Sequence, residues 1–154
     1  MIDERLLKDP KTLTLALAWH YLGTPYIWGG DDPQGFDCSG FIIELLKSNG
    51  ILPANGDWTA QGLFNRFQNS IVDSPAPHLL VFYGKGLLKI THVEYSISNK
   101  YTIGASGGDS RTTTVKNAGE QNGFIKIRPL FTRKDIKAFI DPYKYTDIYK
   151  KGSN

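Results

Sequence analysis

Apolar and polar positions along the chain fall into two regimes. Up to about residue 70 they recur at helical spacing, broken by one glycine- and proline-rich loop; after Asp73 they alternate as in strands. Asp9 is suited to an N-cap and Pro10 to the first helical position, and Leu13, Ala16, Leu17 and His20 follow on one helical face. On that face His20 is expected as a core-edge histidine with a hydrogen-bond partner. Gly23 and Pro25 end the run, and the loop TPYIWGGDDPQGF follows. Phe41, Ile42, Leu45 and Leu46 then form an apolar stripe that Asn49-Gly50 terminates. Asp37 stands where an N-cap belongs, which places Cys38 in the first turn of a buried helix. Residues 51–70 predict a turn and a short helix around Ala60–Phe67.

The second regime predicts strands. HLLVFYG, from His78, is a compact apolar run, and ITHVEYSIS, from Ile90, alternates. In the latter Val93, Tyr95 and Ile97 point one way and His92, Glu94 and Ser96 the other. A turn at Asn99-Lys100 leads to YTIGASGG as a hairpin partner, and residues 122–131 give another alternating strand. RKDIKAFIDPY reads as a last short helix stopped by Asp141-Pro142, and TDIYKKGSN as a polar, frayed tail beginning near residue 144. Helices first and consecutive strands afterwards predict an α+β fold, with N-terminal helices packed on a central antiparallel sheet.

Composition narrows the function classes. The 154 residues suit one domain, and 40% hydrophobic with 21% charged residues is ordinary for a globular chain. Nothing approaches the roughly 20 apolar residues of a membrane span, and MIDERLLKDPKT lacks the apolar centre of a secretory signal. The net charge of +3 is mild, and the lysines near the C-terminus are interspersed with acids, which argues against nucleic-acid binding. A single cysteine makes neither a disulfide nor, alone, a zinc site. No cofactor or metal is expected.

A lone cysteine is most often a small buried hydrophobe, so Cys38 needs local context to be more. A helix N-terminus favours an anion through its partial positive charge and unsatisfied N–H groups, and thiolate is the nucleophilic form of cysteine. A histidine beside the sulfur can hold the thiol proton and deliver it to a leaving amine. Of the three histidines, His92 is the one that strand alternation orients. His78 lacks that argument, and His20 lies on the first helix.

The string GTPYIWGGDDPQGFDCSGFI, from Gly23 to Ile42, resembles the signature of the NlpC-type cell-wall cysteine peptidases. Gly23, Pro25, Tyr26, Trp28, Gly29, Gly30, Gly35, Phe36, Asp37, Cys38, Ser39, Gly40 and Phe41 all match the pattern of a GxPYxWGG segment, a short loop and FDCSGF. His92 and Val93 match in part a second block of the form HVxxYxG, so the resemblance covers residues 12–107. It implies a papain-like fold and cleavage of peptidoglycan stem peptides, with Cys38 as nucleophile and His92 as general base. Tyr26 would support the oxyanion or contact substrate, and Asp37, Ser39 and Trp58 would face substrate. Asp37 would meet the free amine of a trimmed stem peptide, although N-capping claims the same side chain. For Trp58 a core or lid role is the alternative, while Trp28 and Gly29-Gly30 are expected to shape the loop.

One departure bears on mechanism. The family keeps a third triad residue, usually His, Asn or Gln, on the strand after the histidine strand, and this chain has Gly104 there. Glu94, on the His92 face at roughly 6–7 Å between Cβ atoms, is a candidate orienting residue; a solvated strand carboxylate is the simpler alternative. Ser106 and Asp109 are nearby in sequence. The segment before the histidine strand, with His78, Leu79 and Leu80, also departs from the family's Gly-Asp-Leu. The expected partner is peptidoglycan or a muropeptide, met by a phage-associated enzyme, one released on lysis, or a cytoplasmic recycler of wall fragments. The competing expectations are a degenerate, non-catalytic wall-binding or virion module, motivated by Gly104, and a related thiol amidase or acyltransferase.

Overall fold

A computed structural model describes residues 4, 8–32 and 34–144; the polar tail from Thr146 lies outside them. Three helices come first: α1 (Pro10–His20), α2 (Cys38–Ser48) and α3 (Ala60–Phe67). A two-residue hairpin, β1 (Asp31–Asp32) with β2 (Gly35–Phe36), sits in the loop before α2. The remaining elements are β3 (Ile71–Val72), β4 (Leu80–Gly86), β5 (Lys89–Ser96), β6 (Tyr101–Ser106), α4 (Val115–Glu120), β7 (Phe124–Pro129) and β8 (Ile136–Ile140). They build a six-stranded sheet in the order β3-β8-β4-β5-β6-β7 with every pairing antiparallel. The architecture is α+β, helices first and sheet after.

The capping chemistry sets the helix starts. Asp9 accepts a hydrogen bond from Lys11 N, Asp37 from Gly40 N and Thr59 from Gly62 N, each side chain satisfying a donor that its helix cannot. Gly50, at φ +79°, occupies the left-handed conformation just beyond α2. The stripe of α2 (Phe41, Ile42, Leu45, Leu46) is wholly buried with Leu63, Phe64 and Phe67 of α3. Both helices pack on the sheet face that carries Leu80, Phe82, Val93, Tyr95, Ile103 and Ile125. This core fixes α2 lengthwise, so its first turn, with Cys38, is held at the sheet.

Three expectations need correction. First, α1 buries Thr14 and Ala18, while Ala16 and His20 are exposed. Leucines surround this helix on several sides, and its position is set by Thr14, which donates to Pro10 O at 2.6 Å and accepts from Asn49 Nδ2 at the end of α2. His20 meets the edge of the Tyr21 ring instead of a core partner. Second, the strand after His78 begins at Leu80; His78 itself turns with φ +67°, and its Nδ1 lies 2.9 Å from Tyr95 Oη. Third, IKAFI is β8, not a helix. The open edges of β4 and β3 offer ladder partners to either side, with Phe82 opposite Ala138 and Ile71 opposite Ile140, and this pairing overrides a sequence able to form either element.

The polar face of β5 is also not solvated. His92 is 6% exposed and Glu94 and Ser96 are 0% exposed. The segment following β7 folds over this side: Tyr83 donates to Leu130 O at 3.1 Å, Gly84 N to Asp135 O at 3.0 Å, and Arg133 lies over the Tyr83 ring. Val81, Tyr83 and Leu130 form a second small apolar cluster there.

Leu46→Ala empties a fully enclosed site where α2 meets the core. It is expected to lower unfolding free energy by about 2–5 kcal/mol, measured as a shift in a urea denaturation midpoint with unchanged slope.

Candidate active site

Residues 23–36 approach the start of α2 so closely that side chains are excluded. A Cβ on Gly40 would land on the carbonyl oxygen of Gly30, and one on Gly30 would meet the carbonyl of Gly35. Asp37 ties the two segments together. Its Oδ1 accepts from Gly40 N at 2.8 Å and from Ser39 Oγ at 3.3 Å, and its Oδ2 accepts from Gly29 N at 3.0 Å. The N-cap role is therefore occupied from both sides of the junction. The loop is further stitched by Ile27 N to Phe36 O (3.0 Å), Tyr26 N to Gly123 O (3.0 Å) and Trp28 N to Thr112 O (2.7 Å).

The opposite wall is β5, and a bulge lies at its critical point. Tyr83 pairs with His92 but Gly84 with Ile90, so Thr91 is an extra residue. A bulge re-aims the side chain next to it. Here that side chain is His92, and Gly84 leaves the room, since a Cβ there would run into the backbone of Lys89 and Ile90.

Between these walls lies a cleft of about 590 Å³ that brings together Cys38, His92, Tyr26, Asp37 and Ser39. Cys38 is half-buried. Burial opposes a charge on His92, but hydrogen bonds to Cys38 and Glu94, with their negative charges, outweigh it and raise the ring to about 9. Tyr26 is 4% exposed, its ring so close to Gly108 that a Cβ there would collide with it. Burial, reinforced by the charges of Cys38, Asp37 and Asp109, pushes its hydroxyl far up, so it remains an O–H donor.

Glu94 stands behind His92 and outside the cleft lining. Its Oε2 is 3.4 Å from His92 Nε2, and it receives a forked set of bonds from Arg128: Nε to Oε1 at 3.0 Å, Nε to Oε2 at 3.1 Å and a terminal nitrogen to Oε2 at 2.7 Å. The same guanidinium nitrogen is 3.3 Å from His92 Nε2. Burial would raise the carboxyl, yet hydrogen bonding and charge from His92 and Arg128 hold it down at about 2. The expectation of a solvated strand carboxylate thus fails, because β7 supplies a guanidinium that replaces water.

Trp58 does not line this cleft. It sits in an adjoining hollow of about 200 Å³ with Asp31, Asp57 and Thr59, packed under Arg66 at 5.2 Å. Trp28, expected to be a loop-shaping residue, is 53% exposed and overlooks the cleft. Gln61, Arg128 and Arg133, beyond the sequence expectation, also reach it, as do Ser106 and Asp109; among the described residues the buried Ser106 hydroxyl has no hydrogen-bond partner. Arg128 could be reached from sequence only through its strand parity with Lys126, opposite Gly104, which requires the β6–β7 register.

A family model described as NlpC/P60 matches residues 23–129. The chain belongs to the NlpC/P60 family. It is 32% identical over 107 residues to the probable endopeptidase p60 of Listeria innocua, covering 68% of this chain and 22% of that protein. With the probable peptidoglycan endopeptidase LytE of Bacillus subtilis it shares 29% identity over 117 residues, covering 74% and 30% respectively. The chain therefore spans less than a third of the length of these curated relatives. An NlpC/P60 family protein from Bacillus cereus superposes with a TM-score of 0.64 at 23% identity, over 82% of this chain and 38% of that one. The fold is thus the papain-like NlpC/P60 fold. Among the described residues, no helix is long and apolar enough to cross a membrane.

Because Asp37 caps α2 and anchors Gly29 at once, Asp37→Ala is expected to cost about 1–2 kcal/mol of stability in the absence of any substrate. Asp37→Asn should recover a good part of it. Guanidinium denaturation of the three proteins checks this; an Asp37→Ala protein as stable as the parent would leave the carboxylate without a structural role.

Proposed function

We propose that the protein is a cysteine peptidase that hydrolyses an amide bond in peptidoglycan stem peptides, with residues 1–154 forming one NlpC-type domain. The observation that carries this reading is the meeting, in the lining of one cleft, of a thiol at a helix start and a buried histidine. Membership of the NlpC/P60 family supports a wall-peptide substrate, and one relative, LytE, is named a probable peptidoglycan endopeptidase.

The chemistry follows from the placement. His92 holds the proton of Cys38, and the thiolate adds to the carbonyl carbon of the scissile amide, moving the π electrons onto oxygen. Gly40 N and Phe41 N are committed to Asp37, whereas the N–H groups of Cys38 and Ser39 have no intrahelical acceptor and can face that oxygen. Tyr26 adds an O–H. The imidazolium then protonates the amine nitrogen, the C–N bond breaks, and a thioester with Cys38 remains. Water attacks it, giving a proton to His92; the C–S bond breaks and the thiolate returns.

Substrate orientation follows from charge and hydroxyls. Asp37 gives one side of the cleft a carboxylate suited to the free amine of a trimmed stem peptide, with Ser39 beside it, while Asp109 in the same lining is paired with Arg111. Trp28 offers an exposed aromatic face, and the unpartnered Ser106 hydroxyl is available to a substrate amide. Trp58 would act one hollow away, on a group extending past Thr59. Glu94, 3.4 Å from the His92 ring, supports the catalytic reading over the non-catalytic one that Gly104 motivates.

Incubation with purified muropeptides should release new amino ends detectable by mass spectrometry, and Cys38→Ala should abolish them, a loss on the order of 10⁴-fold or more. If wild type releases nothing that Cys38→Ala does not, the enzyme reading fails. His92 must be protonated to deliver a proton to the amine, and its value is raised above the ordinary one. Activity should therefore fall as pH rises through about 9. A kcat/KM profile from pH 5 to 10 reads this alkaline limb; a limb near the ordinary histidine value would contradict it.

A further inference from the structure

Glu94, Arg128 and Gly104 form one unit spread over three adjacent strands. The order β5-β6-β7 places Arg128 across β6 from Glu94, and Gly104 is the residue of β6 beside which their side chains meet. A Cβ on Gly104 would lie 2.5 Å from Glu94 Cγ and 3.0 Å from Glu94 Oε1. The volume a side chain at 104 would fill is therefore occupied by Glu94. We propose that Glu94, clamped by Arg128 in the space Gly104 leaves open, is the positioning group for His92, and that Arg128 acts on His92 through it. The proposal rests on the reading of Cys38 and His92 as nucleophile and base.

The geometry distinguishes the unit from a buried ion pair that merely fills space. One oxygen, Oε2, faces both the guanidinium at 2.7 Å and His92 Nε2 at 3.4 Å. With that carboxylate in place, the ring keeps a proton on Nε2. The other nitrogen, Nδ1, is then left for the sulfur of Cys38, the tautomer a base needs to take the thiol proton. Arg128 sets the opposite preference if Glu94 is absent or neutral. Its nitrogen, 3.3 Å from Nε2, would donate there and force the ring proton onto Nδ1. Arg128 therefore supports the correct tautomer only while Glu94 is ionised, and its forked bonds keep a fully buried carboxylate ionised. The arrangement carries out from two strands what a single side chain on β6 could do, and it requires glycine at 104.

Among the described residues, the other charged or titratable groups facing His92 are few. Cys38 approaches from α2, the Tyr83 ring from β4 at 5.6 Å, and Asp135, itself bonded to Arg133, from the segment before β8. None of them holds Nε2.

The test is a titration of the His92 ring by ¹⁵N NMR, joined to steady-state kinetics on muropeptides. Glu94→Gln, nearly isosteric, should lower the ring midpoint by about one to three units and convert the neutral ring toward the Nδ1–H tautomer. It should reduce kcat at least about tenfold while KM stays within about twofold. Gly104→Ala, which retains both charged residues but displaces Glu94, should move the midpoint in the same direction and guards against a Glu94→Gln protein that does not fold. Arg128→Gln should also reduce kcat, and the Glu94→Gln/Arg128→Gln double variant should lose no more than the worse single one, because Arg128 works through Glu94. An unchanged midpoint and tautomer in Glu94→Gln, or kcat losses that multiply in the double variant, would overturn the proposal. The titration needs no turnover, so a missing Cys38-dependent activity would count against the hydrolase reading alone.

Discussion

The cleft depends on a single carboxylate at the junction of a loop and a helix. Asp37 accepts one backbone N–H from the start of α2 and another from the loop eight residues earlier. It thereby joins a segment that has no core of its own to a helix whose position the core dictates. α2 is locked by Phe41, Ile42, Leu45 and Leu46, and the loop is held against it by Asp37, by the buried Phe36 and Tyr26 and by backbone bonds to Thr112 and Gly123. Tyr26 and Trp28, which the loop carries, inherit that placement. The glycines around the junction are needed for the same reason: two backbones meet with no room between them for a methyl group.

The facing wall solves a different problem. A histidine that must carry charge is 6% exposed, and the carboxylate behind it has no exposure at all. Isolated charges in such a place are strongly disfavoured. The cluster is tolerated because the Glu94 carboxylate lies between His92 and the Arg128 guanidinium, close to both. Removing one member leaves a buried neighbour without its counter-charge, which is why effects within this group are not expected to add. The bulge at Thr91 and the glycine opposite it aim the ring at the sulfur.

Much of this was legible in the chain because it is local. Caps, the α2 stripe, the α3 helix and the alternation of β5 are each written within a window of a few residues, and the loop-helix motif around Cys38 is dense enough to point to chemistry. What was hidden depends on pairing between distant segments. IKAFI became a strand because open edges accept it. Glu94 became buried because Arg128, 34 residues away, reaches it across β6. Trp28 and Trp58 exchanged their expected prominence because the loop's hydrogen bond to Thr112 turns one outward, while Arg66 and Gly56 hold the other in a side hollow. No short-range pattern contains those partners. Gly104 did carry information, since a missing side chain at a functional position signals that something else fills the space.

In the proposed mechanism Cys38 forms a covalent thioester with a wall peptide. Intact-mass analysis of protein mixed with a muropeptide and quenched in acid within milliseconds to seconds tests it most directly. The expected result is a transient mass increase equal to the acyl portion of the peptide, located on the peptide containing Cys38, lost with time and absent from Cys38→Ala. Turnover of the muropeptide without any adduct on Cys38, or an adduct that forms equally in Cys38→Ala, would contradict it.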